Sequence, residues 1–173
     1  MSFGPDTRPV DGGPDLVDPG RGPTASQAAG LTLALACAII DAIQGDGREM
    51  GVAMCCAVVD SGDQLVAFER MDGADLVGVG LARDKAYTAL VNRMSTADLA
   101  PLVQPGAEFY GYDSVAGGRM IVFAGGEPLE IGGVLVGALG VSGGSAEQDA
   151  QAAAAGVAAL RRIASSPDES GSS

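Results

Sequence analysis

The feature that most constrains this chain is a series of short apolar segments cut at intervals by paired glycines. Met120 to Ala124, Glu127 to Ile131 and Val134 to Val141 are separated by Gly125-Gly126 and Gly132-Gly133. Short apolar runs between glycine pairs are strands joined by tight turns. Two more strands precede them. Val52 to Val59 is bounded by Gly51 and Asp60-Ser61-Gly62, and Gln64 to Met71 returns from that turn and closes at Asp72-Gly73. Five strands linked mostly by hairpins specify a mainly antiparallel sheet, since parallel neighbours need long crossovers.

Helical patterns flank these strands. Leu31 to Gln44 (LTLALACAIIDAIQ) is apolar nearly all round, with Thr24 or Ser26 as its cap and Gly45 and Gly47 to end it. Leu76 to Val91 is a second helix, and Ser95 opens a short third one that stops at Pro101. Gln104 to Gly118 reads as a long irregular loop. The last helix runs from Ala146 to Ile163, and Ser145 to Gln148 has capping-box spacing. The expected fold is therefore α/β in the α+β sense: one domain over residues 24–164, with helices packed on a five-stranded sheet. The Pro-, Gly- and Asp-rich arm 1–23 and the tail 165–173 are expected to be disordered.

Composition narrows the chemistry more than the fold. The chain has no histidine, which removes His-dependent triads, His-bound zinc and His-bound haem iron together. Proton transfer falls to carboxylates, Lys, Tyr or Cys. A formal net charge of −12 without a Lys/Arg cluster excludes nucleic acid and anionic membrane surfaces as partners. Cys37, Cys55 and Cys56 form no disulfide framework, because adjacent strand residues point to opposite faces. No apolar run reaches the roughly 18 residues of a membrane span. The N-terminus lacks the basic-then-apolar layout of an export signal, so the expected location is the cytoplasm.

Five motifs in order complete the reading. They are Val58-Val59-Asp60-x-Gly62, Glu69-Arg70-Met71-Asp72-Gly73-Ala74, Ala82-Arg83-x-Lys85-Ala86-x-Thr88-Ala89, Phe123-Ala124-Gly125-Gly126-x-Pro128-Leu129, and Gly140-Val141-Ser142-Gly143-Gly144 followed by Glu147-x-Asp149. Together they span about Leu31 to Leu160, and their order resembles the haem-degrading/GlcG-like family (HbpS-like, formerly DUF336). The resemblance implies a five-stranded, profilin-like domain that self-assembles into dimers and larger rings, often octamers. Such domains occur beside small-molecule catabolic enzymes, attached to corrinoid adenosyltransferases, and as haem-binding sensors. Here the absence of histidine disfavours haem, since Tyr87, Tyr110, Tyr112, Met or Cys would have to hold the iron. No cofactor is required by any motif.

Several residues offer chemistry, each beside a plainer role. Arg70 can clamp a substrate carboxylate with Asp72 as base or orienter and Glu69 nearby, or Arg70 and Asp72 can pair to fix the turn. Lys85, on a mostly apolar helix, can be a base of lowered pKa or can pair with a carboxylate across an interface. Arg83 and Tyr87 lie four apart on one face and can bind substrate. The amides of Ser142, Gly143 and Gly144 at a helix N-terminus suit one carboxylate or an oxyanion, or are an ordinary capped turn opposed by Glu147. Glu127, Glu130, Glu147 and Asp149 match no metal loop and read as a solvated acidic face. The resemblance places Tyr110 and Tyr112 near the pocket, able to stack on a flat ligand. The expected function is binding of a flat or carboxylated organic molecule near a subunit interface. The alternatives are proton-transfer catalysis of the isomerase, dehydratase or lyase kind, with Lys85 or Asp72 as base, and haem or tetrapyrrole binding.

Overall fold

The computed structural model describes residues 30–165. The terminal arms lie outside the described residues apart from Ser165, which caps the last helix. In chain order the elements are helix α1 (Leu33–Met50), strands β1 (Cys55–Asp60) and β2 (Leu65–Arg70), and helices α2 (Val77–Asn92) and α3 (Thr96–Leu99). Strands β3 (Gly126–Ile131) and β4 (Val134–Ser142) and helix α4 (Ala146–Ala164) complete the domain. The strands form one sheet in the order β2-β1-β4-β3, antiparallel throughout.

Three sequence expectations change. First, α1 does not stop at Gly45 and Gly47 but runs on to Met50. Two interior glycines cost about 1 kcal/mol each, but Gly47 lets the helix pass close to Met54 and the Val52 carbonyl, where a Cβ would collide, and the extra turn packs Met50 against the core. The helix ends instead at Gly51, whose left-handed φ of 71° lets its N–H reach back to the Arg48 carbonyl. Second, the cap is Thr32, whose hydroxyl accepts from the Leu35 N–H; Thr24 and Ser26 lie outside the described residues. Third, Met120 to Ala124 is not a strand, so four of the five expected strands form among the described residues. The Ile121 N–H is taken by the Thr88 hydroxyl of α2 at 2.9 Å, which holds the segment on a helix rather than a strand edge.

Helices cover both sheet faces, and the two layers differ in kind. Helices α1 and α4 share one face, where Ile39, Ile40, Ile43, Cys56, Val58, Leu129, Leu139 and Leu160 form the main core. Helix α2 covers the other, with Ala82, Ala86 and Ala89 against Cys55, Ala57, Val59 and Ala138. Small side chains on both sides let α2 sit close. A Cβ on Gly140 of β4 would run into the Ala82 carbonyl of α2. Cys55 and Cys56 thus face different layers, and all three cysteines are free thiols.

Candidate functional site

Lys85 is the largest fully buried side chain in the domain, at 0 % exposure in the middle of α2. Its Nζ donates to the Val141 carbonyl at 2.9 Å and to Asp149 Oδ2 at 2.6 Å, and lies 4.8 Å from the centre of the Phe123 ring. The second Asp149 oxygen, Oδ1, accepts the N–H groups of Gly143 and Gly144 at 3.0 and 2.9 Å. The network joins α2 on one face of the sheet to the first turn of α4 on the other. Burial pulls the Lys85 pKa below its ordinary value, against the hydrogen bond and charge of Asp149.

This geometry corrects two expectations. Asp149 is not part of a solvated acidic face, being only 3 % exposed. The Gly143 and Gly144 amides do not stand open to an external anion, because the chain's own carboxylate fills them. It also accounts for Gly125, which spacing alone assigned to turn chemistry. That residue sits at φ 117°, and a Cβ there would lie 2.9 Å from Lys85 Nζ and 3.0 Å from the Asp149 Cβ. Glycine is needed both for the backbone conformation and for the passage of the lysine.

The Arg70 region is different. A cleft of about 390 Å³ is lined by Gln44, Arg48, Glu69, Arg70, Met71 and Asp72. Glu69 Oε2 accepts from Gln44 Nε2 at 2.7 Å, and Gln44 Oε1 accepts from Arg48 Nη2 at 3.0 Å. Arg70 and Asp72 are exposed and make no ion pair with each other among the described residues. The turn-fixing pair that the sequence allowed is therefore not formed. Gln44 and Arg48 were not legible as site residues; the available signal was a glutamine closing the apolar run 31–44, which the structure buries to 7 % exposure.

The remaining candidates are scattered. Arg83 is exposed on α2. Tyr87 does not pair with it; Arg119 stacks over the Tyr87 ring at 3.8 Å and bridges Asp63 and Asp84, at 3.0 Å each. Burial pulls the Arg119 pKa down, but its bonds to Asp63 and Asp84 more than offset this and raise it. Tyr112 donates to Asn92 Oδ1 at 2.8 Å, and Tyr110 stands outward at 69 % exposure. Ser142 is buried at the end of β4. Glu147 is exposed and accepts from the Ser145 hydroxyl at 2.8 Å, a bond that lowers its pKa. Glu127 is half-buried, and burial followed by the charge of Asp98 raises its carboxyl pKa, with Arg161 opposing.

The side chains lining the Arg70 cleft do not fit a haem held through its iron. Burial, then the charges of Cys55, Glu69 and Asp149, pushes the Cys56 thiol up to about 12, and burial also raises Cys55. Tyr87 and Tyr112 are engaged as described. In the Arg70 cleft the one soft donor is the Met71 sulfur, which accepts from the Met54 N–H at 3.2 Å. No group of three or more His, Cys, Asp or Glu side chains able to hold a metal ion occurs among the described residues. No helix among them is long and apolar enough to cross a membrane.

Comparison with known proteins agrees on one family. A family model described as "Haem degrading protein HbpS-like" matches residues 31–158. An uncharacterised 15.0 kDa protein from the dhaT–dhaS intergenic region of Citrobacter freundii is 38 % identical over 125 residues, covering 72 % of this chain and 88 % of the relative. The crystal structure of Klebsiella pneumoniae protein ORFY, of family DUF336, superposes with a TM-score of 0.74 at 33 % identity, covering 76 % of this chain and 90 % of that one. A crystal structure of PduOC in complex with haem superposes with a TM-score of 0.72 at 36 % identity, covering 75 % of this chain and 94 % of that one.

Proposed function

This chain belongs to the HbpS-like family of haem-degrading proteins, and from that premise we propose that it binds a small organic carboxylate in the Arg70 cleft. The observation that carries the reading is the contrast between the two polar sites. The Lys85–Asp149 network is closed on itself, whereas Arg70, at the rim of a cleft, presents a guanidinium that has no ion-pair partner among the described residues. A guanidinium fork matches a carboxylate bidentately. The Gln44–Glu69 and Gln44–Arg48 hydrogen bonds hold the neighbouring walls in place before a ligand arrives. At about 390 Å³ the cleft falls within the usual range for small-molecule sites, roughly 300–1,000 Å³.

A flat ligand body needs a second wall, which we assign to another copy of the chain in a dimer or larger ring. The exposed Leu76 and Val77, at 77 % and 67 %, are apolar surface of the kind such contacts cover. A tetrapyrrole enters this reading through its carboxylates alone. We read Lys85 as a crossbeam between the layers, so proton-transfer chemistry would have Asp72 as its base, and binding is the function we carry.

The test is calorimetric titration of the purified protein with benzoate, succinate and haem, repeated on Arg70→Ala and Arg70→Lys. The reading expects at least one of these to bind, with a loss of tenfold or more in Arg70→Ala and partial recovery in Arg70→Lys. Binding that ignores Arg70, or no binding by any of the three, would sink it.

A further inference from the structure

A second cavity lies away from the Arg70 cleft, beneath the long loop that follows α3. Its volume is about 140 Å³, and it is lined by Asn92, Met94, Leu99, Leu102, Phe109 and Tyr112. We propose that this cavity is a binding site for a small single-ring aromatic molecule carrying one hydrogen-bond donor, of the phenol type.

Size, lining and polarity each select that class. Apolar protein cavities of about 150 Å³ take up benzene, so 140 Å³ accepts one ring and is too small to enclose a fused polycycle or tetrapyrrole. The lining is apolar and aromatic. Leu99 is buried at 4 %, Leu102 and Phe109 are partly open, and the Phe109 and Tyr112 rings meet at 6.2 Å with a 52° tilt. An inclined ring pair offers a third ring an edge and a face, and the Met94 thioether adds a polarisable contact.

One polar handle stands in the wall. The Tyr112 hydroxyl donates to Asn92 Oδ1 at 2.8 Å, while Asn92 Nδ2 donates to the Thr88 carbonyl at 2.8 Å. Both oxygens, Tyr112 Oη and Asn92 Oδ1, keep acceptor capacity and have no further donor to offer, so the handle favours a ligand that donates. The wall is also preformed. Arg119, tied to Asp63 and Asp84, anchors the far end of the loop, and the Tyr112–Asn92 bond anchors its middle. A ligand entering here pays little loop-ordering entropy.

The test is NMR of the full chain with labelled methyl groups, titrated with benzene and then with phenol. Saturable shifts at the methyls of Met94, Leu99 and Leu102 are expected, with phenol bound about fivefold more tightly than benzene, the size of one net hydrogen bond. Leu102→Trp, at a half-open position, fills the cavity and should weaken both probes at least tenfold. Tyr112→Phe keeps the ring and should cut the phenol preference. No saturable shift, or shifts unchanged in Leu102→Trp, overturns the proposal. So does a set of methyl shifts that follows protein concentration without any probe, since that would give the cavity to a second copy of the chain. Because neither variant touches the Arg70 cleft, failure here is distinct from failure of the carboxylate reading.

Discussion

If Lys85 and Asp149 are a crossbeam between two layers, removing either partner must cost stability, and the two losses must respond differently to pH. Asp149→Asn keeps an oxygen for the Gly143 and Gly144 amides but strands the Lys85 ammonium in the core. Breaking a buried pair in this way costs about 3–5 kcal/mol. The ammonium can escape by losing its proton, which bounds the loss. From an ordinary value of 10.5, deprotonation costs about 5 kcal/mol at pH 7 and about 2 kcal/mol at pH 9. The sign follows: with the folded pKa depressed, the unfolded chain binds more protons, so the variant gains stability as pH rises toward 10.5.

Lys85→Met leaves the Asp149 carboxylate its two amide bonds at the positive end of α4 and should cost about 1–3 kcal/mol. That loss should not shrink from pH 7 to pH 9, because the depressed Lys85 pKa lets the wild type, and not this variant, gain stability as pH rises. Urea denaturation of wild type and both variants at the two pH values measures this directly, with other titrating groups cancelling in each difference. An Asp149→Asn loss below about 1 kcal/mol at pH 7, or one that does not shrink by pH 9, would refute the crossbeam.

Other outcomes follow from single residues. Gly125→Ala, at φ 117° and with its Cβ set against Lys85 and Asp149, should cost about 3 kcal/mol or more in the same urea assay. Glu127 has a raised carboxyl pKa, so its ionisation opposes folding; Glu127→Gln should raise the melting temperature at pH 7. That gain should fade as pH falls and vanish below the ordinary 4.5, where the native carboxyl is already neutral. Arg119→Met should speed amide exchange across residues 105–118 by about tenfold while leaving the global melting temperature nearly unchanged, since the pairs it breaks are partly exposed.

The layout of the fold was legible because glycine pairs and apolar runs are local signals. The capping box at Ser145 and Gln148 forms as spacing suggests, and the β3–β4 hairpin turns at Gly132-Gly133. The errors came where tertiary contacts override local preference. Packing at Gly47 and Met50 carries α1 through Gly45 and Gly47, and the Thr88 hydroxyl holds Ile121 away from the sheet. The site was half legible for the same reason. Arg70 and Asp72 lie together at the end of β2 and could be picked out as neighbours. The partner of Lys85 lies 64 residues further along the chain, and nothing local distinguishes Asp149 from Glu147 two positions before it. One is buried under the sheet and the other is in water, a difference set by helical phase against a neighbour that sequence spacing does not reveal.

Dependence of a bound carboxylate on Arg70 is the central question for this protein. Native mass spectrometry of the protein purified gently from its own cells, beside Arg70→Ala prepared in the same way, puts that question without choosing a ligand beforehand. One small carboxylic acid bound per subunit in the wild type and absent from the variant is the predicted result. A wild-type protein without adduct, or an adduct retained at full occupancy in Arg70→Ala, would contradict it.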